Sequence, residues 1–242
     1  MAAKSEKKII YFVPHQDDEL LTMGIDIASC VEEGYEVFIV LCTDGSRSRI
    51  RELLNDKSRC EKCKSTHNFS LSVEEFVKAR DREFFACCAA LGVKNENILF
   101  DRKRITDSCL TEEKAKALIK KHLELLGKNC TVKTIYPNDA AIQHHDHRTL
   151  GLAAKELKDE GVIERLELME EPYVATKVSH KKEDEPRIIK ADGNISLKIK
   201  NAVSQYSLFN PEIGRFAIGY HSVTREMELL KTEMQLYKHI YF

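Results

Sequence analysis

The strongest indication of the fold is a segment near the N-terminus, Lys8-Ile9-Ile10-Tyr11-Phe12-Val13-Pro14-His15-Gln16-Asp17-Asp18-Glu19. It opens with a nearly continuous apolar run, which is typical of a strand buried on both faces of a parallel sheet. Apolar residues between Leu20 and Val31 then repeat at helical spacing, and Gly34 predicts the end of that helix. The polar residues that begin at Pro14 are therefore predicted to lie in the turn between a strand and a helix.

The alternation of strands and helices continues along the chain. Further strands are predicted at residues 37–41, 97–100, 132–136 and 166–169, and further helices at 73–91, 111–126, 149–158, 197–206 and 224–237. Ser72 with Glu75 has the spacing of a capping box at the start of the 73–91 helix, and Gly92 predicts its end. This order predicts an α/β fold with a mostly parallel sheet and helices on both faces.

Two segments show no regular spacing of apolar residues that would predict a helix or a strand. Residues 46–71 are polar and predicted to form a long loop of the kind that serves as a lid or binding loop. Residues 177–194 are highly charged and predicted to be an exposed loop.

Composition sets limits on the class of protein. The chain has 242 residues, 43% apolar and 32% charged, with a formal net charge of −1. We expect one domain over residues 1–242, with a core of about residues 8–175 and a C-terminal extension of about residues 195–242 packed on it. The balanced charge argues against a nucleic-acid partner, and no apolar stretch reaches the roughly 20 residues of a membrane span.

The cysteines and the N-terminus bear on the compartment. Many of the eight cysteines lie in apolar patterns, as packed, reduced thiols do. The charged N-terminal residues lack the pattern of a signal peptide. A cytoplasmic location is therefore expected.

Two polar clusters follow predicted parallel strands. Pro14-His15-Gln16-Asp17-Asp18-Glu19 contributes an imidazole and three carboxylates, and His144-His145-Asp146-His147 follows the strand that ends at Tyr136. Taken alone, the first cluster is equally well explained by helix capping, and a solvated loop is the alternative explanation of the second. Because the carboxyl ends of parallel strands open on one edge of a sheet, the two clusters are expected to meet.

Together the two clusters hold the groups of a catalytic metal site. Two histidines and one carboxylate form a three-ligand set, and catalytic zinc keeps its fourth position for water. An additional carboxylate that is not a ligand is then free to act as a base. The sequence thus predicts metal-assisted hydrolysis, although the same ligands accept zinc, iron or another divalent metal.

At these residues the chain resembles the LmbE/PIG-L family of zinc-dependent deacetylases. That family carries Pro/Ala-His-Pro-Asp-Asp-Glu after its first strand and His-x-Asp-His later. Leu41-Cys42-Thr43-Asp44-Gly45 and Arg80-Asp81-Arg82-Glu83 resemble two further family segments. The resemblance implies a Rossmann-like three-layer fold and deacetylation of an N-acetylglucosamine-type glycoside or related small conjugate. It leaves open whether the protein is a homo-oligomer.

The resemblance also implies a role for each motif residue. The implied ligands of a Zn²⁺ cofactor are His15, Asp18 and His147. Asp17 matches the general base that takes a proton from water. His144 matches a second catalytic histidine that stabilises the oxyanion or protonates the leaving amine, and Asp146 matches the partner that orients it. Glu19 is expected to be structural.

Substrate-binding candidates are less sharply defined. Arg80 matches a family position implicated in substrate contact. His145 stands at a variable position that is often Pro and could approach the metal or the substrate, and His221 lies in a Gly/Ser-rich turn that could reach the site. Gln16 stands where the family usually has Pro, and this departure is expected to loosen the loop. Tyr206 could line a sugar-binding cleft, although core packing is the stronger expectation.

A third group of metal-binding residue types lies in the long loop. Cys60-Glu61-Lys62-Cys63 and His67 have C-x₂-C-x₃-H spacing. A structural zinc site needs four ligands, and the sequence has no second C-x₂-C. Ordinary cysteines in a mobile or lid-like loop are therefore expected. In the same loop, Arg47, Arg49 and Arg51 could meet an anionic substrate, but a solvated face is the default.

Two alternative functions remain at this level. Two histidines and a carboxylate also form the ligand set of non-haem iron oxygenases, although Asp17 has no obvious role there. A non-catalytic sugar- or metal-binding module would retain the site without turnover. The intact Asp17 and His144 argue against that loss.

Overall fold

The computed structural model describes residues 8–57, 59–61, 63–138, 143–178, 180 and 185–241. Its strands are β1 (Lys8–Val13), β2 (Glu36–Leu41), β3 (Ile98–Leu99), β4 (Thr131–Ile135), β5 (Arg165–Glu170), β6 (Arg187–Lys190), β7 (Phe209–Asn210), β8 (Arg215–Phe216) and β9 (Gln235–Tyr241). Its helices are α1 (Asp18–Leu21), α2 (Gly24–Glu32), α3 (Ile50–Asn55), α4 (Val73–Leu91), α5 (Glu112–Leu126), α6 (His145–Asp159), α7 (Pro172–Ala175), α8 (Gly193–Ser207), α9 (Ile218–Ser222) and α10 (Thr224–Glu233). The N-terminal residues considered for a signal peptide, 1–7, lie outside this range.

The fold is a mostly parallel central sheet flanked by helices, as the alternation predicted. The seven-stranded sheet has the order β3-β2-β1-β4-β5-β9-β6. The strands from β3 to β5 run parallel, and β9 pairs antiparallel with both β5 and β6. The chain winds outward in opposite directions from β1, because β2 lies on one side and β4 on the other. In such sheets this reversal opens a crevice at the carboxyl ends of the two central strands.

Strand β1 shows why the chain forms two core layers. Ile9, Tyr11 and Val13 point to one face, where they pack with the helices α2, α4 and α8. Ile10 and Phe12 point to the other face, against α5 and α6. Because side chains alternate along a strand, an unbroken apolar run supplies both layers at once. A smaller apolar cluster around Leu54, Phe76 and Phe216 lies beneath α3.

Several predicted helix boundaries are confirmed and others are wrong. Ser72 and Glu75 form the predicted capping box, and Gly92 ends α4 in the left-handed conformation with φ 96°. The helix predicted between Leu20 and Val31 is instead two helices, α1 and α2. Periodicity did not reveal the break because both helices bury the same kind of apolar residue. The helix predicted at 149–158 begins earlier, at His145.

The C-terminal part differs most from the prediction. The helix expected at 224–237 ends at Glu233, and Met234 turns the chain through a left-handed conformation with φ 48° into β9. The exposed loop expected at 177–194 contains β6, while 179 and 181–184 lie outside the described residues. Both strands depend on pairing with distant partners, which local patterns do not encode. The C-terminal segment therefore completes the sheet as well as packing α8 on α4.

Among the described residues, no helix combines the length and the apolar composition that crossing a bilayer requires.

A buried ion network ties helix α2 to the sheet. Lys133 Nζ lies 2.5 Å from Asp26 Oδ2 and 2.8 Å from Glu167 Oε2, and Lys238 Nζ lies 3.1 Å from Asp26 Oδ1. The Tyr11 hydroxyl donates to Asp26 Oδ2 at 2.6 Å. The network joins α2 to β1, β4, β5 and β9, so its removal should affect the whole sheet.

Replacing Lys133 with alanine should lower the free energy of unfolding by about 3 kcal/mol, because it removes the closest partner of the buried Asp26 carboxylate. Lys231→Ala is the matched control, since Lys231 also pairs with a carboxylate but its side chain is 34% exposed, against 4% for Lys133. The control substitution should lower the free energy of unfolding by no more than about 1 kcal/mol. If chemical denaturation showed that Lys133→Ala and Lys231→Ala lower the free energy of unfolding equally, the buried network would not have the stabilising role assigned to it.

Candidate metal centre

The two polar clusters meet at the carboxyl ends of β1 and β4. His15 follows β1 in the turn that leads into α1, and His144 is the N-cap residue of α6, which follows β4. Because β1 and β4 are paired parallel, the two turns open on the same crevice. This confirms the expected meeting of the clusters.

The three implied ligands present one atom each at a common point. His15 Nδ1 lies 3.1 Å from His147 Nε2 and 3.3 Å from Asp18 Oδ2, and His147 Nε2 lies 3.1 Å from Asp18 Oδ2. Tetrahedral zinc with bonds of about 2.0 Å separates its ligand atoms by about 3.3 Å. The spacing and the chemistry of this donor set therefore fit a small divalent metal.

Carboxylates hold the other nitrogen of each histidine. His15 Nε2 lies 3.1 Å from Asp146 Oδ2 and 3.3 Å from Asp107 Oδ1. His147 Nδ1 lies 3.0 Å from Glu171 Oε1. Carboxylate partners of this kind fix the tautomer of a metal-binding histidine and make it a stronger ligand.

The electrostatics of the crevice favour a cation. Burial alone would lower the pKa of His15, but the hydrogen bonds that its ring donates to the surrounding carboxylates outweigh it and raise that pKa well above its usual range. Burial likewise lowers the pKa of His147, and Asp18 and Glu171 outweigh it, raising the value to about 10. Positive charge between these imidazoles is therefore stabilised by the protein.

The carboxylate of Asp146 acts on a different histidine from the one implied by the resemblance. It accepts hydrogen bonds from the backbone N–H groups of Ser108 at 2.7 Å and Leu110 at 3.2 Å, and it contacts His15. Asp146 reaches His144 through its backbone N–H, which donates to His144 Nδ1 at 3.2 Å. Its side chain thus orients His15, whereas the resemblance implied that it orients His144.

His144 stands at the rim of the centre. Because its Nδ1 accepts a backbone N–H, the proton of the neutral ring belongs on Nε2, which lies 3.4 Å from Ser108 Oγ. Burial and the neighbouring His15 and His147 lower the pKa of His144, which favours this neutral form. The side chain is 41% exposed, so its Nε2–H is accessible to a bound molecule.

Asp17 is held in a strained backbone conformation beside the ligands. Its φ is 122°, a value that residues with a Cβ rarely adopt. Its carbonyl accepts the N–H groups of Leu20 and Leu21, and its own N–H donates to Glu19 Oε2 at 3.0 Å. Burial raises the pKa of the Asp17 carboxyl to about 7, although Arg80 lowers it.

Arg80 stabilises the turn that contains Asp17 through hydrogen bonds. Its guanidinium donates to the carbonyl oxygens of Gln16 at 2.6 Å and Gly45 at 2.9 Å, and lies 3.3 Å from Asp17 Oδ2. Gly45 has φ 63° and a Cβ there would lie 2.2 Å from Gln16 Oε1, so both the backbone and the packing favour glycine. Arg80 lies on the cavity wall, but its hydrogen bonds go to the turn. We therefore assign it to positioning Asp17 rather than to the predicted substrate contact.

Gln16 fixes the loop that the loss of proline was expected to loosen. Its Nε2 donates to Asp44 O at 3.2 Å and to Asp81 Oδ1 at 2.9 Å. Asp81 is held in turn by two hydrogen bonds from Arg104 at 2.7 and 2.6 Å. The hydrogen bonds of Gln16 therefore restrain this loop, as a proline ring would do in the family motif.

Glu19 connects the motif to the C-terminal part of the chain. The hydroxyl of Tyr206, on α8, donates to Glu19 Oε1 at 2.6 Å, and burial raises the pKa of Glu19 to about 8. The Tyr206 ring packs so closely on Gly219 that a Cβ there would lie 2.3 Å from it. Tyr206 is thus a core residue, and Glu19 has the structural role that was expected.

The crevice is a cavity of about 400 Å³ whose floor is the metal centre. Its walls mix basic, acidic and apolar side chains and include Arg47, Arg49, Leu21, Ser108, Tyr173, Ser222, Glu226 and Leu230. Two predicted substrate-binding residues are not part of its lining. His145 Nε2 contacts Leu110 O at 3.1 Å, and His221 Nδ1 contacts Ala217 O at 2.7 Å. Both rings are held by backbone carbonyls outside the cavity, so the structure does not bring either residue to the lining.

Sequence reasoning missed two acids of this centre. Asp107, in the loop that follows β3, contacts His15, and Glu171, directly after β5, contacts His147. Both occupy the carboxyl edge of the sheet. Because Glu171 closely follows a predicted strand, its position in the sequence could have indicated that it belongs to this centre. Asp107 lies in an irregular loop whose path no local pattern predicts.

A match to a known protein family accompanies this geometry. Residues 10–158 match the family described as PIG-L: GlcNAc-PI de-N-acetylase. This segment covers more than half of the chain and contains both polar clusters. No curated protein sequence matches the chain.

Several solved structures share the fold. N,N'-diacetylchitobiose deacetylase from Pyrococcus horikoshii is 20% identical with a TM-score of 0.62, over 98% of this chain and 85% of that one. The teicoplanin deacetylase Orf2 is 14% identical with a TM-score of 0.61, over 97% and 99% of the two chains. GalB, a 4-carboxy-2-hydroxymuconate hydratase from Pseudomonas putida KT2440, is 14% identical with a TM-score of 0.64, over 98% and 96%. At these identities the likeness concerns the fold.

Glu171→Gln should weaken metal binding at this centre about 10–100-fold, because it removes the charge that holds His147 Nδ1. The affinity for metal would be measured by competition with a chromophoric chelator. Asp18→Asn removes one of the implied ligands, so the binding event that this variant loses is the one at this centre. Glu226→Gln is the matched control, since Glu226 lines the same cavity from α10. If both glutamine variants bound metal equally well, Glu171 would have no part in tuning the centre.

Proposed function

Because the chain belongs to the PIG-L family of de-N-acetylases, we propose that it is a zinc-dependent deacetylase acting on an N-acetylglucosamine-type glycoside or a related small conjugate. The observation that carries this proposal is the spacing of His15, Asp18 and His147, with Asp17 beside them and outside the ligand set. A metal site that keeps a separate, buried carboxylate suits hydrolysis better than electron transfer or mere metal storage.

The proposed metal would be held by His15, Asp18 and His147. When bound, zinc supplies a Lewis acid that polarises a carbonyl oxygen and makes water more acidic. Glu171, Asp107 and the Asp146 carboxylate keep the two imidazoles in the tautomers that ligation needs.

The remaining chemistry is assigned to this chain's own side chains. The Asp17 carboxylate accepts a proton from the attacking water, whose oxygen bonds to the acetyl carbon. The Nε2–H of His144 donates to the carbonyl oxygen as charge develops on it. The carbon–nitrogen bond then breaks, acetate leaves, and the proton held by Asp17 passes to the nitrogen, giving a primary amine. Arg80 keeps the Asp17 carboxylate at one place during this transfer.

The cavity supports a substrate of modest size. A volume of about 400 Å³ is within the usual range for small-molecule sites and accommodates a sugar with a short substituent. Tyr173 and Leu21 provide surface for the apolar face of a sugar ring, while Glu226 and Arg49 can bond its hydroxyl groups. Because GalB carries out hydration on a similar fold, the fold alone does not decide the reaction, and the product must be identified.

The proposal is tested by acetate release from a panel of N-acetylglucosaminides. We expect release that disappears on chelation and returns on titration with zinc. Zinc is added stepwise, because the Orf2 deacetylase was crystallised in a zinc-inhibited form. A metal-loaded protein that released no acetate from any panel member would contradict the proposal and favour a binding module. Restoration by Fe²⁺ together with a requirement for O₂ would favour an iron enzyme instead.

Asp17→Asn should reduce kcat about 10²–10⁴-fold, the usual contribution of a positioned base, while the zinc content is unchanged. The amide keeps the size of the carboxylate but cannot accept the proton. Zinc analysis and steady-state kinetics on the same preparation separate this effect from loss of metal. Unchanged kcat with full zinc occupancy would remove Asp17 from the mechanism.

A further inference from the structure

A second cluster of metal-binding side chains lies outside the cavity. Cys60, Cys63, His67 and His221 each offer one ligand atom, and these four atoms all lie within 4.8 Å of one another. We propose that these residues bind a structural Zn²⁺ ion that fastens the loop after α3 to the C-terminal part of the chain. This inference does not depend on the proposed catalytic function.

The loop is folded so that its two cysteines come together. Arg59 and Thr66 form an antiparallel bridge, and the Cys60 N–H donates to Ser65 O at 2.8 Å. Between them Lys64 adopts a left-handed conformation with φ 61°, and its N–H donates to Cys60 O at 2.9 Å. A tight turn of this kind brings the two ends of the C-x₂-C segment close together.

His67 comes from the same loop. Its Nε2 lies 3.2 Å from Cys63 Sγ, which is close to the spacing of two ligands on one zinc ion. The ring packs between Phe69 and Phe209, with centroid distances of 6.0 and 5.6 Å. This packing fixes the orientation of the imidazole before any ion binds.

His221 supplies the fourth ligand, from far along the chain. Its Nδ1 lies 2.7 Å from the carbonyl oxygen of Ala217. Since a carbonyl can only accept, Nδ1 carries the proton and the lone pair of the neutral ring is on Nε2, as in many metal-binding histidines. The ring stands edge-on to His67 with a centroid distance of 5.4 Å. The histidine that was predicted to contact substrate is thus placed for this second cluster.

The four ligand atoms of this cluster are of the kinds that favour zinc over other divalent metals. Two cysteines and two histidines form a closed tetrahedral set with no position left for water, which is typical of structural sites. The two thiolates balance the charge of Zn²⁺, so the centre is neutral overall. That neutrality suits the burial of three of the four ligands, since Cys60, His67 and His221 are 1–3% exposed, while Cys63 lies at the surface. Thiolates also favour zinc over magnesium, calcium or manganese.

The position of the cluster links it to the cavity. Ser222, the residue after His221, lines the cavity wall, and so does Arg49, which precedes α3 on the other side of the loop. A metal ion that joins the loop to α9 would hold these two parts of the wall at a fixed separation. Its loss should therefore raise KM for the substrate more than it lowers kcat.

The test uses the full chain, purified in the presence of a reductant that does not bind metal. Zinc content should be two equivalents for the unmodified protein, and one each for the Cys60→Ser/Cys63→Ser and the Asp18→Asn variants. Cobalt replacement gives a second readout, because thiolate-to-cobalt charge transfer absorbs in the near ultraviolet. The ligands of the first centre contain no sulfur, so this absorption reports the second cluster alone.

The expected cobalt absorption is present in the unmodified protein and in Asp18→Asn, absent from Cys60→Ser/Cys63→Ser, and weakened in Cys63→Ser, which retains one thiolate. Cys63 is exposed, so its substitution does not disturb the core. Cys109→Ser is the matched control, since Cys109 is also accessible and lies outside both clusters, and it should retain the absorption. One equivalent of zinc in the unmodified, fully reduced protein, with no thiolate–cobalt absorption, would overturn the proposal.

Discussion

The parallel pairing of β1 with β4 is the constraint on which the rest of the molecule depends. Ile9 aligns with Thr131 and Tyr11 with Lys133, and this register sets where the turns after the two strands meet. A slip of one residue would exchange the two faces of β1, and with them the two core layers. It would also move His15 away from His147. The buried strand that determines the fold therefore also determines the geometry of the candidate metal centre.

Much of this arrangement could be predicted from the sequence, for identifiable reasons. The run from Ile9 to Val13 is apolar because both of its faces are covered, and a motif of one histidine and three acids has few uses at the end of such a strand. What escaped prediction depends on long-range contacts. Asp107 reaches His15 through an irregular loop, and β9 is a strand only because β5 and β6 pair with it. Likewise, three residues of the cysteine cluster are close in sequence, but His221 joins them only in the folded chain.

The structure also explains how so many charges are kept in a buried crevice. Each carboxylate near the centre has a defined donor: Asp146 has two backbone N–H groups, Asp17 has Arg80, and Glu19 has Tyr206. These contacts draw on the segment that contains Arg80 and on helix α8 as well as on the local turn. The strained backbone of Asp17 is held in the same way: its carbonyl accepts hydrogen bonds from its own helix, and its N–H donates to Glu19. The geometry of the candidate centre is thus a property of the whole folded chain rather than of the motif alone.

The position of β9 has a consequence for the order in which the protein can be assembled during synthesis. This strand is the last of the sheet in the sequence, yet it lies between β5 and β6. Until the ribosome has released residues 235–241, β5 is an open edge and β6 has no place in the sheet. The Lys238 side chain, which completes the charge pairing of Asp26, arrives at the same late stage. Nascent chains therefore expose an apolar strand edge between the synthesis of β5, which ends at Glu170, and that of β9, a condition under which chaperone binding protects against intermolecular strand pairing.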